Sequence, residues 1–119
     1  MLSGPFQGSS PERFDGVYSL DVVEHIDPKD ESVFVGNLAE SLADEGTLIV
    51  GSPSLASQTY ASPASKKGHI NCKTAEDLKA LLKVHFANVF VFSMNDEVVH
   101  TGFYQMAHYY FALCCGPKR

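Results

Sequence analysis

Between Phe14 and Leu20, Val17, Tyr18 and Leu20 make a short apolar run after Gly16, and its brevity and β-rich content predict a buried strand. Asp21 and Glu24 follow at the D-x-x-E spacing of a capping box, which predicts a short turn of helix over 22–26. Asp27-Pro28 then resets the chain, with Asp27 as N-cap and Pro28 at the first helical position, where its missing N–H costs nothing. From Pro28 to about Ala43, Phe34, Leu38 and Leu42 recur every four residues, widened by Val35 and Ala39. That stripe predicts an amphipathic helix, stopped by Asp44-Glu45-Gly46. Thr47 to Val50, bounded by glycines, reads as a strand covered on both faces.

Residues 51–73 are rich in Ser, Pro, Ala and Gly and read as a long loop, a length common to functional lids and to disordered segments. Thr74 caps the next helix with Asp77 as its N3 partner, and Leu78, Leu81, Leu82, His85 and Phe86 form the inward face. Val89 to Phe92 and Met106 to Cys115 are two further strands. The polar segment Met94 to Thr101 between them predicts an antiparallel pair with an extended connection. Residues 3–13, with two Gly, two Pro and three Ser, are a lead-in loop.

The predicted order is β-α-β-α-β-β, an α/β chain of one domain's worth. The helix-to-strand links are tight, whereas the links that leave the strands, 19–30, 51–73 and 94–105, are long. In a parallel sheet the long links all lie at the carboxyl edge, where open α/β folds bind ligands.

Composition narrows the function without naming it. With 45% hydrophobic and 19% charged residues, the 119-residue chain is ordinary and globular. A net charge of −5 argues against a nucleic-acid backbone binder, and the adjacent basic pairs Lys66-Lys67 and Lys118-Arg119 read as solvated surface. No segment has the apolar length of a membrane span, and Met1-Leu2-Ser3-Gly4-Pro5 lacks a signal peptide's apolar core. Three cysteines make no disulfide framework, and Cys114-Cys115 would point to opposite faces of a strand. A reduced, cytoplasmic protein is expected. Cys72 has only His69 close by in sequence, so no zinc site or other metal is expected.

Four segments, FDGVYSLDVVEHI at 14–26, NLAESLADEGTLIVGSPS at 37–54, KKGHINCKTAEDLKALL at 66–82 and AHYYFALCCGPK at 107–118, carry a resemblance. In order and spacing they resemble the C-terminal half of a class I S-adenosylmethionine-dependent methyltransferase domain, of the small-molecule group that includes the ubiquinone-pathway O-methyltransferases. The resemblance implies a Rossmann-like sheet of which this chain supplies the last four strands, the last pair antiparallel. It also implies S-adenosylmethionine as cofactor and a small-molecule methyl acceptor. The family's glycine-rich G-x-G-x-G loop and the acidic residue that holds the cofactor ribose have no counterpart here. Residues 1–119 therefore read as a single partial domain, beginning at a methionine inside a longer gene. Hydride transfer with a dinucleotide would need the same missing loop.

By resemblance, Ser19, Leu20 and Asp21 line the cofactor pocket; the alternative is that Asp21 only caps the helix and Leu20 only fills the core. Glu24 and His25 match the family's E-H pair. His25 either packs or, as a neutral imidazole, takes a proton from a substrate hydroxyl. His69, in Gly68-His69-Ile70-Asn71, resembles the family's G-H-x-N substrate-loop segment and is either a catalytic base or a staple of the loop. His85, His100 and His108 read as structural or exposed, and Tyr109-Tyr110-Phe111 as core. Tyr60, Phe103 and Tyr104 lie in the long connections and could line a substrate pocket.

An apolar strand at 14–20 with one uncovered side is a pairing hazard. The chain is thus expected to form a homodimer through that strand or to shield it with residues 1–13. The alternative to an enzyme is a noncatalytic α/β module that self-associates and does not bind the cofactor alone.

Overall fold

The first strand forms where the apolar run sits. In the computed structural model, which describes residues 13–55, 63, 68–95, 98–100 and 109–119, β1 spans Phe14–Leu20 and alternates burial, with Val17 and Ser19 inward and Tyr18 and Leu20 outward. A 3-10 turn at Val23–His25 follows. The lead-in loop up to residue 12, Tyr60, Lys66-Lys67, Phe103, Tyr104 and His108 lie outside the described residues.

The first helix, α1, spans Glu31–Glu40, shorter at both ends than Pro28 to Ala43. Asp27 caps a turn in place of the helix. Its carboxylate accepts from the Lys29 N–H at 3.1 Å and its carbonyl from the Asp30 N–H at 2.8 Å, so Asp27-Pro28-Lys29-Asp30 is a β-turn with Asp first and Pro second. At the other end, Ser41 Oγ donates to the Leu38 carbonyl at 2.7 Å and ends the helix. The stripe Phe34, Val35, Leu38 and Ala39 is buried as the periodicity requires. Leu42 is buried too, but as the first residue of β2, Leu42–Pro53.

β2 is longer than the four residues the sequence suggests. Its pairing with β1 steps from Phe14↔Leu42 to Gly16↔Thr47, so Asp44-Glu45-Gly46 forms a bulge inside the strand, not the helix stop. The second helix, α2, spans Ala75–Lys83, with Thr74 Oγ1 accepting from the Asp77 N–H at 3.2 Å as expected. Three strands complete the sheet: β3 (Phe86–Asn95), β4 (Val98–His100) and β5 (Tyr109–Pro117). The sequence reading took β4 as connection, because three residues offer too little pattern to register. It pairs antiparallel with β3, Met94 opposite Val99.

Strand order is β1-β2-β5-β3-β4. β1 runs parallel to β2, and β5 is antiparallel to both β2 and β3. The carboxyl ends of β1, β2 and β3 therefore share one edge, together with Tyr109 at the start of β5, which faces Pro53 and Met94.

The two faces of the sheet differ. Val17, Leu48, Val50, Val89, Ala112 and Cys114 lie on the buried face with Phe34, Leu38, Leu78 and Leu82 of the helices. On the opposite face Tyr18, Leu20, Ile49 and Phe90 are 40–52% exposed, and a shallow hollow of about 260 Å³ is lined by Ile49, Phe92, Val99, Phe111 and Leu113. The expectation that Thr47 to Val50 is covered on both faces is therefore corrected: Leu48 and Val50 are buried, Ile49 is not.

The terminal basic pair is not simply solvated. Arg119 donates to the carbonyls of Ala39 and Leu42 and to the Asp44 carboxylate, and Lys118 Nζ donates to the Lys83 carbonyl at 3.0 Å. Each cation thus satisfies a carbonyl at the end of a helix, the negative end of its dipole. His85 joins the same corner: its Nε2 lies 3.1 Å from Ser32 Oγ on α1.

Burial, then the nearby Lys118 charge, holds the His85 pKa below its ordinary 6.5. Below that pH the unfolded chain binds more protons at this site than the folded one, so stability falls as pH drops through 6.5 toward the lower folded value. Replacing His85 by Gln is expected to cost about 1 kcal/mol at pH 7.5 through the Ser32 contact. The loss of stability between pH 7 and pH 5 is expected to be smaller in the variant, as measured by urea denaturation across that range.

Candidate functional site

At the carboxyl end of β1 the chain reverses through Asp21, whose φ of 60° is in the left-handed region. A carboxamide or carboxylate side chain tolerates this conformation better than most, and two bonds hold it. The Asp21 N–H donates to the Gly51 carbonyl at 3.0 Å, and Tyr109 Oη donates to Asp21 Oδ1 at 2.8 Å. For Tyr109 to reach Asp21 it must cross β2 at Gly51, where a Cβ would stand 2.6 Å from the tyrosine oxygen and 2.8 Å from Leu20 Cδ2. Only glycine admits that crossing. The Tyr109 pKa is pushed well up, by burial first and then by the Asp21 hydrogen bond, so the phenol stays a donor.

This turn overturns the capping box. The 3-10 turn has Val22 at its N-cap position and no side-chain cap, because the left-handed residue is Asp21 and its carboxylate is committed to Tyr109. Glu24 does not reach back either. It is fully buried, and neither carboxylate oxygen has a hydrogen-bond partner. Burial raises its pKa, opposed by its own backbone N–H, with the Asp21 charge adding to the rise and His25 and His69 opposing it.

The segment 68–73 folds against the 3-10 turn. The Asn71 N–H donates to the Glu24 carbonyl at 2.9 Å, and Asn71 Nδ2 donates to Glu31 Oε2 at 2.6 Å. Lys73 Nζ lies 2.7 Å from the same Glu31 oxygen and 3.1 Å from Asn71 Oδ1. Asn71 and Lys73 thus tie the segment to Glu31 of α1. Gly68 approaches so closely that a Cβ there would lie 3.3 Å from His25 Cε1, and its carbonyl lies 2.6 Å from His25 Nδ1.

The two sequence-predicted histidines come together. The His25 and His69 rings are 4.9 Å apart edge to face, and His25 Nε2 lies 3.6 Å from Glu24 Oε2. With Nδ1–H donating to the Gly68 carbonyl, the neutral His25 tautomer presents Nε2 as its lone pair. Glu24, His25 and His69 each offer one ligand atom, all within 4.8 Å of one another.

The three cofactor candidates do not share one direction. Ser19 is fully buried on the helix face and its Oγ has no hydrogen-bond partner. Leu20 is 40% exposed on the opposite face, and Asp21 is exposed at the turn. Cys72, close to Glu24, has its thiol pushed up to about 11 by burial and the Glu24 charge, so it is a thiol and not a nucleophile at neutral pH. Sequence reasoning missed two members of the edge. Tyr109 was placed in the core, though it is Tyr110 that fills it; Glu24 was read as a cap. Neither role has a local signal, since each depends on which strand lies opposite.

Comparison with known proteins finds no matching family model and no matching curated protein. Solved structures do match. A Thermotoga maritima S-adenosylmethionine-dependent methyltransferase, described as a possible histamine N-methyltransferase, superposes with a TM-score of 0.67 at 20% identity, over 93% of this chain and 60% of that one. The N-methyltransferase NodS of Bradyrhizobium japonicum, bound to S-adenosyl-L-homocysteine, gives 0.65 at 20% identity over 94% and 50%. An S-adenosylmethionine-dependent methyltransferase from Archaeoglobus fulgidus gives 0.64 at 18% identity over 90% and 60%. The chain has the class I S-adenosylmethionine-dependent methyltransferase fold and spans 50–60% of the length of these three structures.

The Tyr109–Asp21 bond is expected to hold the turn. Tyr109→Phe should lower stability by about 1–2 kcal/mol, the range for a hydrogen bond to a charged group at a half-buried site. Asp21→Asn, which keeps an acceptor and tolerates the backbone conformation, should stay within about 0.5 kcal/mol of the wild type. Urea midpoints of the two variants check both expectations.

Proposed function

We propose that this chain takes part in methyl transfer from S-adenosylmethionine to a small molecule, as the C-terminal part of a methyltransferase domain in the cytoplasm. One observation carries the reading: His25 and His69, far apart in sequence, meet beside Glu24 at the carboxyl edge of a sheet with the methyltransferase fold. That edge is where open α/β sheets bind ligands.

The sulfonium of the cofactor is already an activated electrophile, so the protein has to align an acceptor with the methyl group and, for a hydroxyl acceptor, remove its proton. In this reading Leu20 supplies an apolar wall to the cofactor, while Asp21 and the backbone of Ser19 border it. His69 is the base that receives the acceptor proton. His25 holds the segment that carries His69 through its Gly68 contact, and its Nε2 is the second base within reach.

The partner in solution is a second copy of the chain. β1 is the last strand of the described sheet and bears one charged residue, Asp15, and no proline. Its outward residues Tyr18 and Leu20 are 41% and 40% exposed. An apolar edge of that kind is a template for pairing.

Calorimetric titration of the purified chain with S-adenosylmethionine tests the catalytic reading. Saturable binding at micromolar strength would support a cofactor site that the chain, or its dimer, completes without the glycine-rich loop. A folded chain giving no heat would overturn this reading in favour of the noncatalytic, self-associating module. Light scattering behind gel filtration tests the partner: the wild type should have the mass of two chains, and Tyr18→Lys the mass of one with unchanged circular dichroism. A monomeric wild type would remove the β1 interface.

A further inference from the structure

We infer that Glu24, His25 and His69 form a binding site for a divalent cation of borderline softness, Zn²⁺ or Fe²⁺ in preference to Mg²⁺ or Ca²⁺. In sequence, Cys72 and His69 alone offer no zinc-ligand spacing. The fold brings a different set to His69, from the far side of the sheet edge.

Four observations converge on it. The three ligand atoms lie within 4.8 Å of one another. Metal–ligand bonds of about 2.0–2.2 Å place three donors roughly 3–3.5 Å apart, so closure needs side-chain movements on the order of 1 Å. Glu24 is fully buried with both carboxylate oxygens lacking a hydrogen-bond partner, and a buried carboxylate is stabilised in its charged form by a coordinated cation. His25 has the support a metal-binding imidazole typically has, with Nδ1 on a backbone carbonyl at 2.6 Å, which leaves Nε2 as the ligating atom 3.6 Å from Glu24 Oε2. Finally, the loop bearing His69 is fixed to the same turn that bears Glu24 and His25, through the Asn71 N–H on the Glu24 carbonyl and Asn71 on Glu31.

The donor set selects the metal. Two imidazoles and one carboxylate suit zinc and first-row metals such as ferrous iron, whereas magnesium and calcium favour all-oxygen surroundings. Three protein ligands also leave coordination positions for water or for an oxygen of a small molecule. The metal site does not rest on the functional reading above: with a cation bound, the His25 and His69 nitrogens that ligate it have no lone pair left for a proton, so ligation and the base role are alternative states of the same pair.

The test uses the whole chain, stripped with chelator and titrated with Co²⁺ as a visible-absorption probe, followed by Zn²⁺ in competition. One equivalent of Co²⁺ per chain is expected, displaced by Zn²⁺ and not by millimolar Mg²⁺. Glu24→Gln, His25→Ala and His69→Ala should each weaken Co²⁺ binding at least tenfold, and His85→Gln should leave it unchanged. His69 is only half-buried, so His69→Ala should retain the wild-type circular dichroism and stands as the deciding variant if Glu24→Gln misfolds. Binding that is absent at millimolar Co²⁺, or equal in wild type and His69→Ala, overturns the site. Cation binding by a chain that gives no heat with S-adenosylmethionine would keep this site while overturning the methyl-transfer reading; cofactor binding without cation binding would do the reverse.

Discussion

The left-handed turn at Asp21 is the constraint on which the carboxyl edge depends. A residue with φ of 60° reverses β1 within one step and delivers the next three residues inward. Val23 and Glu24 are thereby buried and His25 is left at the rim. The conformation costs on the order of 1 kcal/mol or more for a residue other than glycine. It is offset by the Gly51 and Tyr109 bonds, which come from two different strands. The turn is therefore a product of the assembled sheet, and β2 and β5 must be in register before His25 and His69 can meet.

Much of the fold was legible because it is periodic. The stripe Phe34, Val35, Leu38, Ala39 and the Thr74 cap required only local chemistry, and each is where the pattern places it. Boundaries were less legible, since they are decided by competing local bonds. Pro28 favours a helix start, yet Asp27 closes a β-turn over it, and the helix waits until Glu31. Asp44-Glu45-Gly46 has the composition of a helix stop, but the strand continues through it as a bulge because Leu42 already has a buried place beside Phe14.

The site divides in the same way. His25 and His69 were legible as chemistry, being histidines beside a strand end and a glycine. Their meeting was not, because it depends on Asn71 and Gly68 docking on a turn more than forty residues earlier. Glu24 shows the limit most sharply. The D-x-x-E spacing is the same whether the carboxylate caps a helix or is buried, and the backbone conformation of Asp21, invisible in the spacing, decides between them.

The two-faced sheet and the buried carboxylate pose one physical problem. Nearly all hydrophobic burial is on the helix side, while the opposite face keeps Tyr18, Ile49 and Phe90 in water, so the stabilisation available from apolar area is only partly used. Against that reduced reserve the chain also carries Glu24, fully buried with both oxygens unbonded, and Ser19 and Ser93 with unbonded hydroxyls. A Leu at 24 would remove the Glu24 cost, whereas a Gln would leave a buried amide unbonded in the same place. Among the described residues, three of the four unbonded buried oxygens belong to Ser19 of β1 and Glu24 of the turn that follows it, so destabilising polar groups gather where open α/β sheets receive ligands. Groups that act on a ligand must be held in advance of it, and their desolvation is met by the rest of the structure until it arrives.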